Sequence, residues 1–147
     1  GNRKGVKNIY APESTFEIGK GNLLREGKDY LIVAAGQLVS EALEVAASLK
    51  EKGMSVDVID MFTIKPLDKA LLVERIVGKK AVVTIENHSI TGGLGSAVAE
   101  VLADKGLAVP LTRIGVDERF GQVGTPSFLQ EEFGLTTEKI LEQLKCL

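Results

Sequence analysis

The chain alternates between continuous apolar runs and segments in which apolar residues recur every three or four positions. A continuous run is typical of a strand buried on both faces of a sheet, and residues 30–35 form one. Residues 81–85, rich in β-branched side chains, and the interrupted apolar stretches 56–61 and 110–116 predict three further strands. The pair Leu23-Leu24 predicts a further edge strand. Helical spacing, turn glycines and capping residues predict helices over 38–52, from Pro66 to Gly78, over 94–104, after Thr125 and from Thr136.

Strand and helix patterns alternate through most of the chain. This order is typical of a mostly parallel sheet with helices on both faces, and we predict a three-layer α/β/α domain with a five-stranded sheet. Residues 1–20 lack periodicity and are expected to be a linker from a missing preceding domain, with one α/β domain over 21–147. The start at Gly1 without Met is expected for a piece of a longer chain, or after removal of an initiator Met.

The composition is that of an average soluble domain and excludes several classes of protein. The 147 residues are 44% apolar and 26% charged, which argues against disorder. A balance of 18 basic and 20 acidic residues predicts no nucleic-acid partner, and no apolar run is long enough to predict a membrane span. A single cysteine, Cys146, cannot form an internal disulfide, which fits the cytoplasm.

The most distinctive stretch is the loop over 86–96, which follows the strongest predicted strand and leads into a helix. Ligands of open parallel sheets bind at such carboxyl ends. Gly93-Leu94-Gly95 is similar to the start of a dinucleotide fingerprint, but Val98 stands in place of the third glycine. Nucleotide binding is therefore the lesser alternative, and the favoured interpretation is that glycines allow a tight turn and close helix–sheet contact.

The titratable residues predict no complete catalytic set. His88 is the only histidine, and no spacing of metal ligands surrounds it, so we predict no metal site. Glu86, Asp60 and Asp117-Glu118 each follow or end a predicted strand, and they could form one acidic rim. The favoured interpretation is that these carboxylates cap helices or face solvent. No nucleophile, base and orienting group emerge together, so no catalytic residue is proposed.

The order of several motifs resembles the C-terminal domain of the transketolase family. The match extends from about residue 8 to the last helix and includes the segments 19–21, 24–29, 62–68 (FTIKPLD), 86–98, 113–116, 120–124 and 134–136. Asn87-His88 and Phe120-Gly121 most resemble transketolases made as two separate subunits. The 1-deoxyxylulose-5-phosphate synthases and the β subunits of 2-oxoacid dehydrogenase E1 components share the architecture and are the nearest alternatives.

The resemblance implies part of a thiamine-diphosphate and Mg²⁺ enzyme, a transferase of the pentose phosphate pathway that moves two-carbon ketol units between sugar phosphates. It also implies an antiparallel edge strand. The family's Gly-Asp-Gly cofactor motif is absent from this sequence, so we expect no cofactor on this chain and no activity from it alone. The expected partners are the cofactor- and pyrimidine-binding domains, on the same chain or a separate subunit.

The resemblance also implies two roles for particular residues. Asn2-Arg3-Lys4 is similar to the family's junction with the preceding domain, so Arg3 is the candidate for holding substrate phosphate, to which a guanidinium donates in fork geometry. The family's two-fold assembly implies a homodimer through the loop over 86–95, with its candidate residues Glu86, His88, Gly92, Gly93 and Gly95. The remaining alternative is a free-standing nucleotide-binding or interaction module.

Overall fold

The fold is built on one mixed sheet. This computed structural model describes residues 7–117 and 123–145. Five strands lie in the order β1-β3-β2-β4-β5, with bounds β1 Asn22–Arg25, β2 Tyr30–Ala34, β3 Val56–Asp60, β4 Ala81–Ser89 and β5 Leu111–Val116. The pair β1·β3 is antiparallel and the other three pairs are parallel. The predicted five-stranded mixed sheet and its antiparallel edge strand are confirmed.

Helices cover both faces of the sheet and complete three layers. The helices are α1 Val39–Glu51, preceded by a 3-10 turn at Gly36–Leu38, then α2 Lys69–Ile76, α3 Leu94–Asp104, α4 Pro126–Glu132 and α5 Thr137–Gln143. One core cluster joins alternate residues of the central strands to α1 and α5. The other joins the intervening residues to α2 and α3. Strand alternation thus divides the core into two halves.

The central strands β2 and β3 are buried along their whole length. The continuous apolar run of β2 predicted this, whereas β3 buries the polar residues Asp57 and Asp60 as well. Leu31 faces α2 and α3, whereas Ile32 faces α1 and α5, and both are fully buried. Complete burial of such a side chain contributes about 1.5–3 kcal/mol. Within the described residues no helix is long and apolar enough to cross a membrane.

Three helices begin at side-chain caps. Thr125 accepts a hydrogen bond from the amide of Phe128 at 3.3 Å, and Thr136 accepts one from Lys139 at 3.4 Å. Both predicted helix starts are confirmed. Asp68 caps α2 through the amide of Leu71 at 3.0 Å. These caps satisfy amides that a helix leaves without an internal partner.

Most element boundaries lie within one or two residues of the predictions, and two differ by more. The strand predicted to end at residue 85 continues to Ser89, because the chain re-pairs with β5 at Val116 after a shift of register. The first half of the predicted loop is therefore strand. The helix expected from Pro66 begins only at Lys69, because Asp68 supplies the cap.

Candidate functional site

A crevice lies at the carboxyl ends of β2 and β4. From β2 the chain first passes to β3 on one side and later to β4 on the other. Such a reversal of strand order leaves a space between the connections, and ligands of open α/β sheets bind there. Here the space is a cavity of about 250 Å³, and its lining includes Gln37, Phe62, Glu86, Asn87 and His88.

Three polar side chains in this crevice are available to a partner. Gln37 and Asn87 also line a second cavity of about 260 Å³ beside Phe133 and Leu135. Within the described residues, the side chains of Gln37, Asn87 and His88 form no hydrogen bond, and His88 is exposed. Amide side chains both donate and accept hydrogen bonds. The crevice can therefore bind a polar ligand or the surface of another domain.

Glu86 holds the start of α3. Its side chain is 2% exposed, and its two carboxylate oxygens accept hydrogen bonds from the amides of Leu94 at 2.8 Å and Gly95 at 2.7 Å. A negative charge at a helix N-terminus is also favoured by the helix dipole. Glu86 thus acts as a helix cap supplied by the preceding strand, which agrees with the favoured interpretation of this carboxylate.

The glycines after Glu86 permit this close contact. A Cβ on Gly93 would lie 1.9 Å from Glu86 Oε1, and a Cβ on Gly95 would lie 2.9 Å from Thr84 Oγ1. Gly92 has φ +80°, a conformation that suits glycine. The favoured explanation of the loop is confirmed. Because Glu86 already occupies the α3 amides that a phosphate would need, the nucleotide-binding alternative loses its structural basis.

The structure separates two of the carboxylates considered for an acidic rim. Asp60 pairs in register with Ala34, and Ala34 with Ile85. Successive strand residues point to opposite faces, so Asp60 and Glu86 lie on opposite faces of the sheet. Asp117 follows β5, whereas Glu118 lies outside the described residues. No shared carboxylate site forms between Asp60 and Glu86.

Asp60 instead holds the N-terminal part of the chain. Tyr10 Oη donates to Asp60 Oδ2 at 2.6 Å, and Asn22 Nδ2 donates to Tyr10 Oη at 3.2 Å. Burial raises the pKa of Asp60, against the opposing effect of the Tyr10 hydrogen bond. Burial, and then the same bond, raise the pKa of Tyr10. Asp60 Oδ1 is buried without a hydrogen-bond partner, so the carboxyl depends on Tyr10.

We expect Tyr10→Phe to lower the free energy of unfolding by about 1–3 kcal/mol, because it leaves a second buried oxygen of Asp60 without a donor. Chemical denaturation monitored by circular dichroism measures the loss. Tyr30→Phe is the matched control, since the Tyr30 hydroxyl forms no hydrogen bond within the described residues. Equal losses in the two variants would contradict the role given to Tyr10.

The remaining predicted site residues stay predictions. Arg3 lies outside the described residues, so its role toward substrate phosphate is not addressed by the geometry. His88 and Gly92 are exposed on the carboxyl side, whereas Glu86 is buried and would shape an interface loop without lying on its surface. Among the described residues no group of three His, Cys, Asp or Glu side chains could hold a metal ion.

The sequence analysis missed Gln37, and it named Asn87 only within the family resemblance, not as a site residue. Gln37 follows Gly36, which closes the most central buried strand, and that position could have drawn attention to it. The importance of Asn87 depends on the order of strands in the sheet, because only that order identifies β2 and β4 as the neighbours at the reversal. Periodicity along the chain does not contain this information.

The sheet order, the two helical layers and the crevice define an open α/β domain with an accessible crevice at its carboxyl edge. The family model described as "Transketolase, C-terminal domain" matches residues 19–140, which is most of the chain. The chain therefore belongs to the transketolase C-terminal domain family. The resemblance found in the sequence motifs is confirmed.

Two curated relatives show how this chain relates to longer proteins. It is 46% identical over 144 residues to a "Putative transketolase C-terminal section" of Methanocaldococcus jannaschii, covering 97% of this chain and 45% of that protein. It is 39% identical over 144 residues to a 1-deoxy-D-xylulose-5-phosphate synthase of Rippkaea orientalis, covering 98% of this chain and 23% of that protein. The chain thus spans less than half the length of either relative.

A solved structure supports the same conclusion. It carries the description "Split gene transketolase, inactive beta4 tetramer", and it superposes with a TM-score of 0.87 at 45% identity. The match covers 94% of this chain and 45% of that one. The fold class is thereby confirmed, and the description of that protein states that its transketolase is encoded by a split gene.

Proposed function

We propose that this chain supplies the C-terminal domain of a transketolase that transfers two-carbon ketol units between sugar phosphates. The observation that carries the proposal is the agreement of family, sequence and fold over nearly the whole chain, with 45% identity to a split-gene transketolase. In this proposal the domain supports assembly of the enzyme. Isolated, it is inactive.

Thiamine diphosphate and Mg²⁺ would be bound by other domains of the enzyme, and the cofactor would supply the carbanion chemistry. The residues described here do not fit that group. The buried carboxylates have other partners: Asp57 pairs with Arg75, Asp60 accepts from Tyr10, Asp68 caps α2 and Glu86 caps α3. The α3 amides are likewise taken. In this proposal the chain contributes the carboxyl edge of its sheet, and not a cofactor site, to the enzyme.

The proposal has three further parts that follow the family resemblance. Arg3 would help to hold the substrate phosphate at the junction with the preceding domain. The loop over 86–95 would take part in a two-fold interface. The buried Glu86 would hold the conformation of this loop through its hydrogen bonds to the amides of Leu94 and Gly95. The enzyme would act in the cytoplasm, in the pentose phosphate pathway.

The second candidate is the C-terminal domain of a 1-deoxy-D-xylulose-5-phosphate synthase. It is favoured by 39% identity across nearly the whole chain to a protein of that name. A 2-oxoacid dehydrogenase E1 β subunit shares the architecture as a third possibility. All three place the cofactor outside these residues, so they differ in the substrate and product of the assembled enzyme.

Reconstitution tests the proposal. The chain is mixed with the cofactor-bearing remainder of the enzyme, thiamine diphosphate, Mg²⁺, a ketose phosphate donor and an aldose phosphate acceptor. We expect ketol transfer from the mixture and none from either part alone. Formation of 1-deoxy-D-xylulose 5-phosphate would favour the second candidate. Calorimetric titration showing tight thiamine diphosphate binding by this chain alone would contradict the placement of the cofactor.

A further inference from the structure

Two adjoining cavities lie at the carboxyl ends of the parallel strands. One is the crevice of about 250 Å³ between the connections that leave β2 and β4. The other, of about 260 Å³, lies beside Phe133 and Leu135. Gln37 and Asn87 line both cavities, so the two spaces adjoin at these side chains. Small-molecule sites in proteins have volumes of about 300–1,000 Å³, and the combined space falls within that range.

The second cavity has an apolar wall that is held by the core. Val116 ends β5, Leu129 lies on α4, Phe133 directly follows α4, and Leu135 lies just before α5. Val116 and Phe133 pack against the core cluster that joins the sheet to α1 and α5, and Leu135 belongs to it. A wall fixed by the core is already formed before a ligand arrives, so binding requires little reorganisation. A flat ring packs well beside an aromatic side chain such as Phe133.

Three carboxamides form the polar side of the second cavity, and all three are half-buried: Gln37, Asn87 and Gln130. Within the described residues, the side chains of Gln37 and Asn87 form no hydrogen bond. Gln130 Nε2 donates to Glu41 Oε1 at 3.4 Å, whereas its oxygen accepts no hydrogen bond from the described part of the chain. Because a carboxamide both donates and accepts, the cavity offers both kinds of group beside its apolar wall.

The charges around the two cavities disfavour an anionic ligand. Among the described residues that line them, none is a lysine or an arginine. Glu86 is the one carboxylate in this lining, and the amides of Leu94 and Gly95 already donate to its two oxygens. A charged group that is buried without a partner loses more hydration free energy than it recovers. The lining therefore favours an uncharged ligand over a phosphate or a carboxylate.

We propose that the combined space, called here the carboxamide pocket after Gln37, Asn87 and Gln130, binds an uncharged aromatic or heteroaromatic molecule that carries an amide or lactam group. The ring would lie against the apolar wall, and the amide would form hydrogen bonds with Gln37 and Asn87. An amide suits these side chains because it has both an N–H and a C=O, whereas a carboxylate only accepts. This site goes beyond the proposed function and requires neither the assembled enzyme nor its cofactor.

The test uses benzamide as the probe and benzoate as its matched control. The two molecules share the ring and have nearly the same shape, but benzoate is charged and has no N–H. Each is titrated into this chain while two-dimensional NMR spectra follow the backbone amides. We expect benzamide to shift the amides of residues 37, 87, 130 and 133 saturably, with a dissociation constant on the order of 1 mM, as is usual for so small a ligand. Benzoate should bind at least tenfold more weakly.

A pair of substitutions removes the polar groups while it keeps the volume of the side chains. Gln37→Met with Asn87→Leu should weaken benzamide binding at least fivefold, because the amide of the ligand then loses its hydrogen-bond partners. Asn8→Leu is the matched control, since Asn8 carries an exposed carboxamide that lines neither cavity. We expect its affinity for benzamide to stay within twofold of the wild type.

A further variant fills the pocket. Val116→Phe adds a larger side chain to the apolar wall and should abolish the saturable shifts with benzamide. Circular dichroism shows whether each variant keeps the helical content of the wild type. The carboxamide pair decides the test by itself if Val116→Phe does not fold.

Four results would overturn the carboxamide pocket: no saturable shift with benzamide, saturable shifts only at residues away from the pocket, equal affinity for benzoate and benzamide, or unchanged benzamide affinity in the carboxamide pair. Saturable binding that the carboxamide pair weakens and Asn8→Leu does not would support it. A failure of ketol transfer in the reconstituted enzyme would contradict the proposed function and leave the evidence for this pocket unchanged.

Discussion

Replacing Asp57 by alanine is expected to lower the free energy of unfolding by roughly 3–5 kcal/mol, the usual cost of removing one partner from a buried ion pair. Asp57 is 0% exposed. Arg75 binds it through two nitrogens at 2.8 and 2.9 Å, and Lys79 Nζ lies 2.9 Å from Oδ2. The amide of Gly27 donates to Oδ1 at 2.7 Å. The substitution would leave two cations and an amide without their acceptor.

Asp104→Ala is the matched control, because Asp104 is exposed at the end of α3 and forms no hydrogen bond or ion pair within the described residues. A surface substitution of this kind should change stability by less than about 0.5 kcal/mol. Urea denaturation at pH 7 gives both values. Similar losses for the two variants would show that the buried ion pair does not stabilise the fold.

The loss should also depend on pH. Burial acts to raise the pKa of Asp57, but hydrogen bonds from Arg75 and Lys79 outweigh it and hold the pKa below the ordinary value of 3.8. A lowered folded-state pKa means that the contribution is complete above that ordinary value and disappears as the pH falls through the folded-state value. The gap between wild type and Asp57→Ala should therefore be constant from pH 7 to 5 and shrink below pH 3.8.

The fold could be predicted from the sequence because its signals are local. Runs such as 30–35 are apolar throughout because both faces of β2 are covered, and Thr125 and Thr136 mark their helices through short-range caps. The prediction failed where a boundary depends on another part of the chain. The extension of β4 to Ser89 requires pairing with Val116, which no periodicity before residue 90 reveals.

The site was harder to predict because its contacts join distant residues. In the sequence, Asp57 is a polar residue that interrupts an apolar strand. Its role as an ion-pair partner becomes visible only in the fold, where α2 and the turn after it place Arg75 and Lys79 beside it. Asp60 lies 50 positions from Tyr10, its one hydrogen-bond donor in the described part of the chain. The sequence singled out the loop over 86–95, whose place in a two-fold interface stays a prediction. It favoured a capping or solvated Glu86 over an acidic rim, but it did not identify the amides of Leu94 and Gly95 as the groups that Glu86 binds.

Glu86→Ala is expected to lower the free energy of unfolding by roughly 2–4 kcal/mol, because two charge-assisted hydrogen bonds to the start of α3 disappear together. Glu86→Gln should lose less, since its amide oxygen still accepts from one of the two amides of Leu94 and Gly95. Glu100→Ala is the control on the same helix, at an exposed position. A loss in Glu86→Ala no larger than in the control would contradict the capping role.

Added anions provide a sharper test of why the helix start matters. In Glu86→Ala the amides of Leu94 and Gly95 lose their acceptor, and the missing side chain leaves space for a small carboxylate. Acetate should therefore raise the melting temperature of Glu86→Ala more than that of the wild type, with chloride at equal ionic strength as the control. An equal rise in the two proteins would mean that α3 accepts anions while Glu86 is in place. That result would restore the nucleotide-binding alternative, because the glycine loop would then be open to phosphate.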